Sequence, residues 1–284
     1  MTSSFQKPDM GANPGGLEPS GFSTASETGS ASSYADPLKA FSNDLVDVAE
    51  DTLGGTPVAE SALDAAMLAA GDGPDPLELA SLLCSKVCHD VVNSVGAISN
   101  GLEVLDDDPN GDMHDVALDL IRSSATQASA KLQFARMAYG ASSSGGSTID
   151  LGDAAQVTAG FLAGQKIKVE WNLPSVAVPK DEAKLILNMI LVAMATIPRG
   201  GVVTLEGSVG AAVDRLEFTA IGTNSRIPDD VEAHVLGRTT WSDVNAHDVQ
   251  PYFTGLIAAR TGLAPVFEMI DGGVRITVRK TQIS

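Results

Sequence analysis

Apolar side chains at Leu79, Leu82, Leu83, Val87, Val91, Val95, Ile98, Leu102 and Leu105 advance by steps of three and four. That pattern predicts one long amphipathic helix. Asp75-Pro76-Leu77-Glu78 starts it, with Asp75 as N-cap, Pro76 at the first helical position and Glu78 placed to close a capping box. Asp106-Asp107-Asp108-Pro109-Asn110-Gly111 stops it. A second stripe begins near Asp112 and reads Met113, Ala117, Leu120/Ile121, Ala125, Ala128, Leu132, Ala135, Tyr139. Ala and Ser dominate this helix, so a partner helix can approach it closely. Gly140 and Ser142–Ser147 predict its end and a flexible linker. Two long helices joined by a short turn pair antiparallel. The stripes are too broad for a single hairpin. A second copy, completing a four-helix bundle across a two-fold axis, is the expected cover; burial under the C-terminal part of the chain is the alternative.

Beyond the linker the period changes from helical to alternating. Ile167–Trp171, Val202–Glu206, Leu216–Ala220, Pro265–Ile270 and Val274–Arg279 are predicted strands, half-buried and antiparallel. Helices are predicted at Asp181–Thr196 and around Thr254–Thr261. The fold class is α+β: a helical hairpin followed by a two-layer α/β sandwich. The expected plan is an acidic arm at 1–73, the hairpin at 74–141, a linker at 142–150 and the sandwich at 151–284.

Composition adds an arm and removes several functions. Of the 284 residues, 36 are Asp or Glu and 18 Lys or Arg, for a net charge of −18. Residues 1–75 hold 12 of those acids against two lysines. The first 35 residues are mostly Ser, Gly, Thr and Pro and are expected to be disordered. Leu38, Phe41, Leu45, Val48 and Leu53, and then Ser61–Ala70, suggest short helices within the arm. So acidic a chain lacks the basic footprint that nucleic acid requires. No apolar run is long enough to span a membrane, and the N-terminus lacks the pattern of a signal peptide. The two cysteines, Cys84 and Cys88, make no disulfide framework, which fits a reducing cytoplasm.

The candidate chemistry sits on the first helix. His89 is two residues from Val87 and two from Val91, about 200° of rotation away from the stripe, so it points to solvent. An exposed imidazole, with its ordinary pKa of about 6.5, is a nucleophile near neutral pH. Lys86 is one turn away and suited to pair with a phosphoryl group; Asn93, one turn on, is suited to orient one. Asp90 follows directly, and Gly96 on the same face leaves room for an incoming loop. Cys84, Cys88 and His89 do not share one face and lack a fourth ligand, so they read as small helix residues and not as a metal site. His114, His234 and His247 read as solvated, and Trp171 and Trp241 as packing residues. Arg226, Arg238 and Arg260 line either an old cleft or a partner-facing surface.

His89-Asp90-Val91-Val92-Asn93, followed by Ala97-Ile98, resembles the phosphoacceptor box of histidine kinases, with Ser94 where Pro is usual. The order of elements after it resembles the kinase ATP-binding domain, but in degenerate form. Asn188 matches the first Asn of the nucleotide helix. Val192 stands where the Mg²⁺-binding Asn belongs, and Ala220 where the adenine-binding Asp belongs. Asp248-Val249-Gln250-Pro251-Tyr252-Phe253 replaces the glycine-rich lid, while Pro198–Val203 keeps the turn into the following strand. Residues from about 74 onward resemble the ChpT-type histidine phosphotransferases of alphaproteobacteria. That resemblance implies a homodimer with His89 as phosphoacceptor, assisted by Asp90, Asn93 and Lys86. It implies no nucleotide or metal of its own, Mg²⁺ being supplied by the partner receiver. The implied partners are receiver domains of a CckA-like hybrid histidine kinase and of CtrA-like and CpdR-like response regulators. An ATP-dependent histidine kinase and a non-catalytic scaffold for receivers are the two rival functions.

Overall fold

The computed structural model describes residues 73–107, 111–141 and 147–281. All of them fall within one compact unit, Thr56–Ser284. The expectations for the acidic arm before Gly73, for 108–110 of the turn and for 142–146 of the linker lie outside the described residues.

Helix α1 spans Pro76–Asp107 and α2 spans His114–Tyr139. The predicted start holds: the Leu77 N–H donates to Asp75 Oδ1 at 3.1 Å. Glu78 has a different employment from the expected capping box, since its Oε2 accepts the Trp241 indole N–H at 2.9 Å. The seam between the helices also differs from the predicted stripes. Its buried members are Ser94 and Gly101 on α1 and Ala117, Ser124 and Ala128 on α2. Small residues let the axes approach closely, which turns the larger apolar neighbours outward. Gly101 is required there, because a Cβ would lie 2.6 Å from Ile121 Cγ1. Val95 and Leu102, counted into the α1 stripe, are each 48% exposed, and Met113, Leu120 and Leu132 of α2 are exposed too.

The rest of the chain builds the sandwich. In order come β1 (Thr148–Asp150), α3 (Leu151–Leu162), β2 (Ile167–Trp171), β3 (Ala177–Pro179) and α4 (Lys180–Ala195). Then follow β4 (Gly201–Val209), β5 (Val213–Gly222), α5 (Asp229–Val235), a 3-10 turn (Trp241–Asp243), α6 (Val249–Thr261), β6 (Leu263–Ile270) and β7 (Gly273–Lys280). Five strands form one sheet in the order β2-β4-β5-β7-β6. The β2–β4 pair is parallel, correcting the all-antiparallel expectation, and the other pairs are antiparallel. β1 and β3 form a separate ribbon, so structure begins inside the expected 142–150 linker. On β5 the alternation is plain: Leu216, Phe218 and Ala220 are buried while Glu217 and Thr219 are not. The outer face carries ion pairs from Arg275 to Glu217 and Glu268. The inner face meets α4, which is buried almost all round, as its nearly continuous apolar run demands.

The hairpin is not a separate body. Phe134 and Ala138 of α2 are members of the sandwich core. Phe134 stacks on Phe161 of α3 with ring centroids 4.3 Å apart.

Asp150 caps α3. Its Oδ1 accepts the Ser175 hydroxyl at 2.7 Å and the Gly152 N–H at 2.6 Å. These bonds, the Ser175 hydroxyl foremost, hold its carboxyl below the ordinary carboxylate range. A lowered folded pKa means stabilisation that is complete above the unfolded value of about 3.9 and lost as pH falls through the folded one. Asp150→Ala is therefore expected to lower the thermal midpoint at neutral pH. The deficit should close as the buffer is taken down through and below the carboxylate range, followed by circular dichroism.

Candidate functional site

The α1 face opposite the seam presents His89 with its side chain 72% exposed, as the periodicity predicts. Asp90 Oδ1 lies 3.7 Å from Nδ1 of the ring. The carboxylate thus lies on the Nδ1 side of the ring. Lys86 pairs with Asp90 one turn along the helix. Its ammonium lies one turn from His89, with the Asp90 carboxylate as its partner in this structure. Asn93 is exposed on the same face.

A cleft of about 370 Å³ opens beside this face. Lys86, His89, Asp90 and Asn93 line it from α1, Gln127, Lys131 and Tyr139 from α2, and Phe161, Gln165 and Leu191 from the sandwich. Tyr139 is held protonated, well above the ordinary phenol range, first by burial and then by the charge of Asp90. Ser94, the residue standing where the box usually has Pro, is 3% exposed. Its hydroxyl donates to Gln127 Oε1 at 3.1 Å and accepts from Lys131 Nζ at 3.0 Å. A proline offers no side-chain donor or acceptor for this network. Gln127 and Lys131 were missed in the sequence, although their i, i+4 spacing on α2 is that of two neighbours on one helix face.

The positions matched to nucleotide-binding residues have other partners. Asn188 is fully buried. Its Nδ2 donates to Ala138 O at 3.0 Å and to Lys184 O at 2.9 Å. Its Oδ1 accepts from Gln250 Nε2 at 3.2 Å, and the same amide donates to Thr254 Oγ1 at 2.9 Å. Val192 and Ala220 are fully buried in the core. Asp248–Phe253, which stands in place of the glycine-rich lid, is the N-cap and first part of α6.

One of the remaining histidines departs from the solvated reading. His234 is 6% exposed, its Nδ1 against the Asp230 carbonyl on its own helix. It lines a second cleft of about 640 Å³, together with Arg238 and Tyr252. His247 is exposed, yet its ring lies close to that of His89, with centroids 6.5 Å apart. His114 sits at the far end of the hairpin beside Asp115. Arg260 pairs with Asp181 at 3.2 Å, Trp171 packs against the core, and Trp241 lies 5.3 Å from Tyr252. Among the described residues no cluster of three or more His, Cys, Asp or Glu is arranged to hold a metal, and Cys84 and Cys88 are free thiols. No described helix is long and apolar enough to cross a membrane.

Residues 151–271 match the family described as the histidine phosphotransferase C-terminal domain. Over 190 residues the chain is 44% identical to the protein phosphotransferase ChpT of Brucella abortus (strain 2308), covering 66% of this chain and 88% of that protein. A solved bacterial phosphotransferase structure superposes with a TM-score of 0.64 at 38% identity, over 72% of this chain and 98% of that one. The chain belongs to the family of ChpT-type histidine phosphotransferases.

Proposed function

We propose that the chain relays a phosphoryl group between receiver-domain aspartates through a phosphohistidine at His89. The observation that carries this is the placement of His89: exposed on a long helix, with Asp90 beside Nδ1 and a cleft of mixed polar and apolar lining alongside. The Nε2 lone pair attacks the phosphorus of a receiver aspartyl phosphate. As the N–P bond forms, the acyl O–P bond breaks and its electron pair returns to the receiver carboxylate. The Nδ1 proton stays on the ring facing Asp90, whose charge stabilises the developing imidazolium. Asn93 orients the phosphoryl oxygens. The receiver brings Mg²⁺, which offsets charge in the transition state. Receivers of CckA-like hybrid kinases and of CtrA-like and CpdR-like regulators are the proposed donors and acceptors, in the cytoplasm.

The same reading makes the hairpin a dimerisation element. Val95, Leu102, Leu120 and Leu132 are too large and too exposed for a finished surface, and a second hairpin buries them in a four-helix bundle. It also leaves the chain without a nucleotide. Asn188 is engaged on both sides of its amide, and Val192 and Ala220 carry no side-chain oxygen for Mg²⁺ or adenine. An ATP-dependent kinase is thereby disfavoured against the relay.

His89→Ala should fold normally, since an exposed helical position tolerates Ala, and should accept no acid-labile label from a phosphorylated receiver. His114→Ala should retain transfer, and Asn93→Ala should change the rate without abolishing labelling. Label on His89→Ala would place the phosphoacceptor elsewhere and overturn the assignment to His89; a wild-type chain that binds receivers and takes no label would leave only a scaffold role. Light scattering should return a dimer at tens of micromolar, and Val95→Glu or Leu102→Glu should shift it toward monomer, because burying an unpaired charge costs about 3–5 kcal/mol. Calorimetry with Mg-ATP should give no binding heat at millimolar nucleotide; tight binding would restore the kinase alternative.

A further inference from the structure

The loop before α6 carries a second imidazole to the phosphoacceptor. The rings of His247 and His89 have centroids 6.5 Å apart and planes at 77°. His247 is held there by its own loop. Its N–H donates to Asn245 Oδ1 at 2.8 Å, and the Asn245 amide donates to the Asp248 carboxylate. The Asp248 and Val249 N–H groups bond to Asn245 O at 3.0 and 2.9 Å. The loop is also fastened to the hairpin on both sides. Trp241 donates to Glu78 of α1 at 2.9 Å, and Phe253 lies 5.8 Å from Tyr139 of α2, centroid to centroid. Anchors before and after His247 fix it over His89.

The chemistry at that spot favours a donor. Asp90 occupies the Nδ1 side of His89, so a phosphoryl group sits on Nε2 and projects outward. Such a group carries close to two negative charges and three strong acceptor oxygens. The cations nearest on the helices are engaged elsewhere: Lys86 with Asp90, and Lys131 with Ser94. On the loop, Asp248 is bonded to Asn245. An imidazole supplies one N–H donor when neutral and two when charged.

We propose that His247 is a second histidine of the transfer site, donating a hydrogen bond to the phosphoryl group on His89. It forms no covalent bond; the N–P bond stays at His89. Its effect is to stabilise the phosphohistidine relative to the receiver aspartyl phosphate, and so to set how label divides between the two proteins. This rests on His89 being the phosphoacceptor.

The test uses the full chain and a receiver domain, charged with radiolabelled acetyl phosphate, that the wild-type chain discharges. At equilibrium, His247→Ala should move the label toward the receiver by about tenfold, the usual worth of a hydrogen bond to a charged group. His247→Gln, which keeps a donor, should recover most of that loss. Thermal midpoint and mass should be those of the wild type, and the ³¹P resonance of the phosphohistidine should shift in the Ala variant alone. A wild-type partition and ³¹P spectrum in His247→Ala, with His89 still labelled, would overturn the proposal and leave the relay intact. Label on His89→Ala would overturn the assignment of the phosphoacceptor to His89.

Discussion

Ala138 lies in the last turn of α2, where a helix has no backbone donor left to offer its carbonyls, and it is fully buried. Its oxygen needs a partner from elsewhere, and Asn188 Nδ2 supplies one at 3.0 Å. That bond ties the hairpin to the central helix of the sandwich. Asn188 is tied in turn to Gln250 on α6, and α6 is the helix whose preceding loop reaches back to α1. The juxtaposition of His89 and His247 is the far end of this chain of contacts. Leaving a buried carbonyl unpaired costs about 1–3 kcal/mol, so Asn188 has a structural reason to be where it is without any nucleotide.

The site combines one exposed imidazole, that of His89, with several residues that are already engaged. Asp90 is shared: it faces His89, pairs with Lys86 and raises the pKa of Tyr139. Ser94, Gln127 and Lys131 lock α1 to α2 one turn further on. A locked helix presents His89 in one orientation, which is what the proposed in-line transfer would require.

Much of this was legible in the sequence. The Asp75 cap of α1, the extent of the helix and the outward face of His89 follow from local rules, and local rules held there; the Glu78 capping box and the apolar stripe gave way to partners from elsewhere. The strands with clean alternation, β5 and β7 among them, were also found. What escaped was set by distant partners. α3 carries Gly and Thr and gives a weak stripe, while the three-residue strands β1 and β3 exist only as each other's partner. The α1 side of the seam, Ser94 and Gly101, is selected by size and carries no apolar signal. His234 and His247 were both read as solvated; which one is buried and which one stands beside His89 depends on how α5 and α6 pack.

Helix α2 is one unbroken run of 26 residues. Its Ala117, Ser124 and Ala128 face α1, and its Phe134 and Ala138 enter the sandwich core. Between these two sets helical phase sets the angle, and the Trp241–Glu78 bond holds α1 to the sandwich from the other side. Each residue added or removed there rotates one half against the other by about 100°. A change of about seven residues nearly restores the facing, offset by roughly 20°, while a change of one or two points His89 at a different neighbour. Insertions and deletions in this helix are thus filtered by arithmetic rather than by chemistry, and relatives that differ in α2 length should differ by close to whole pairs of turns.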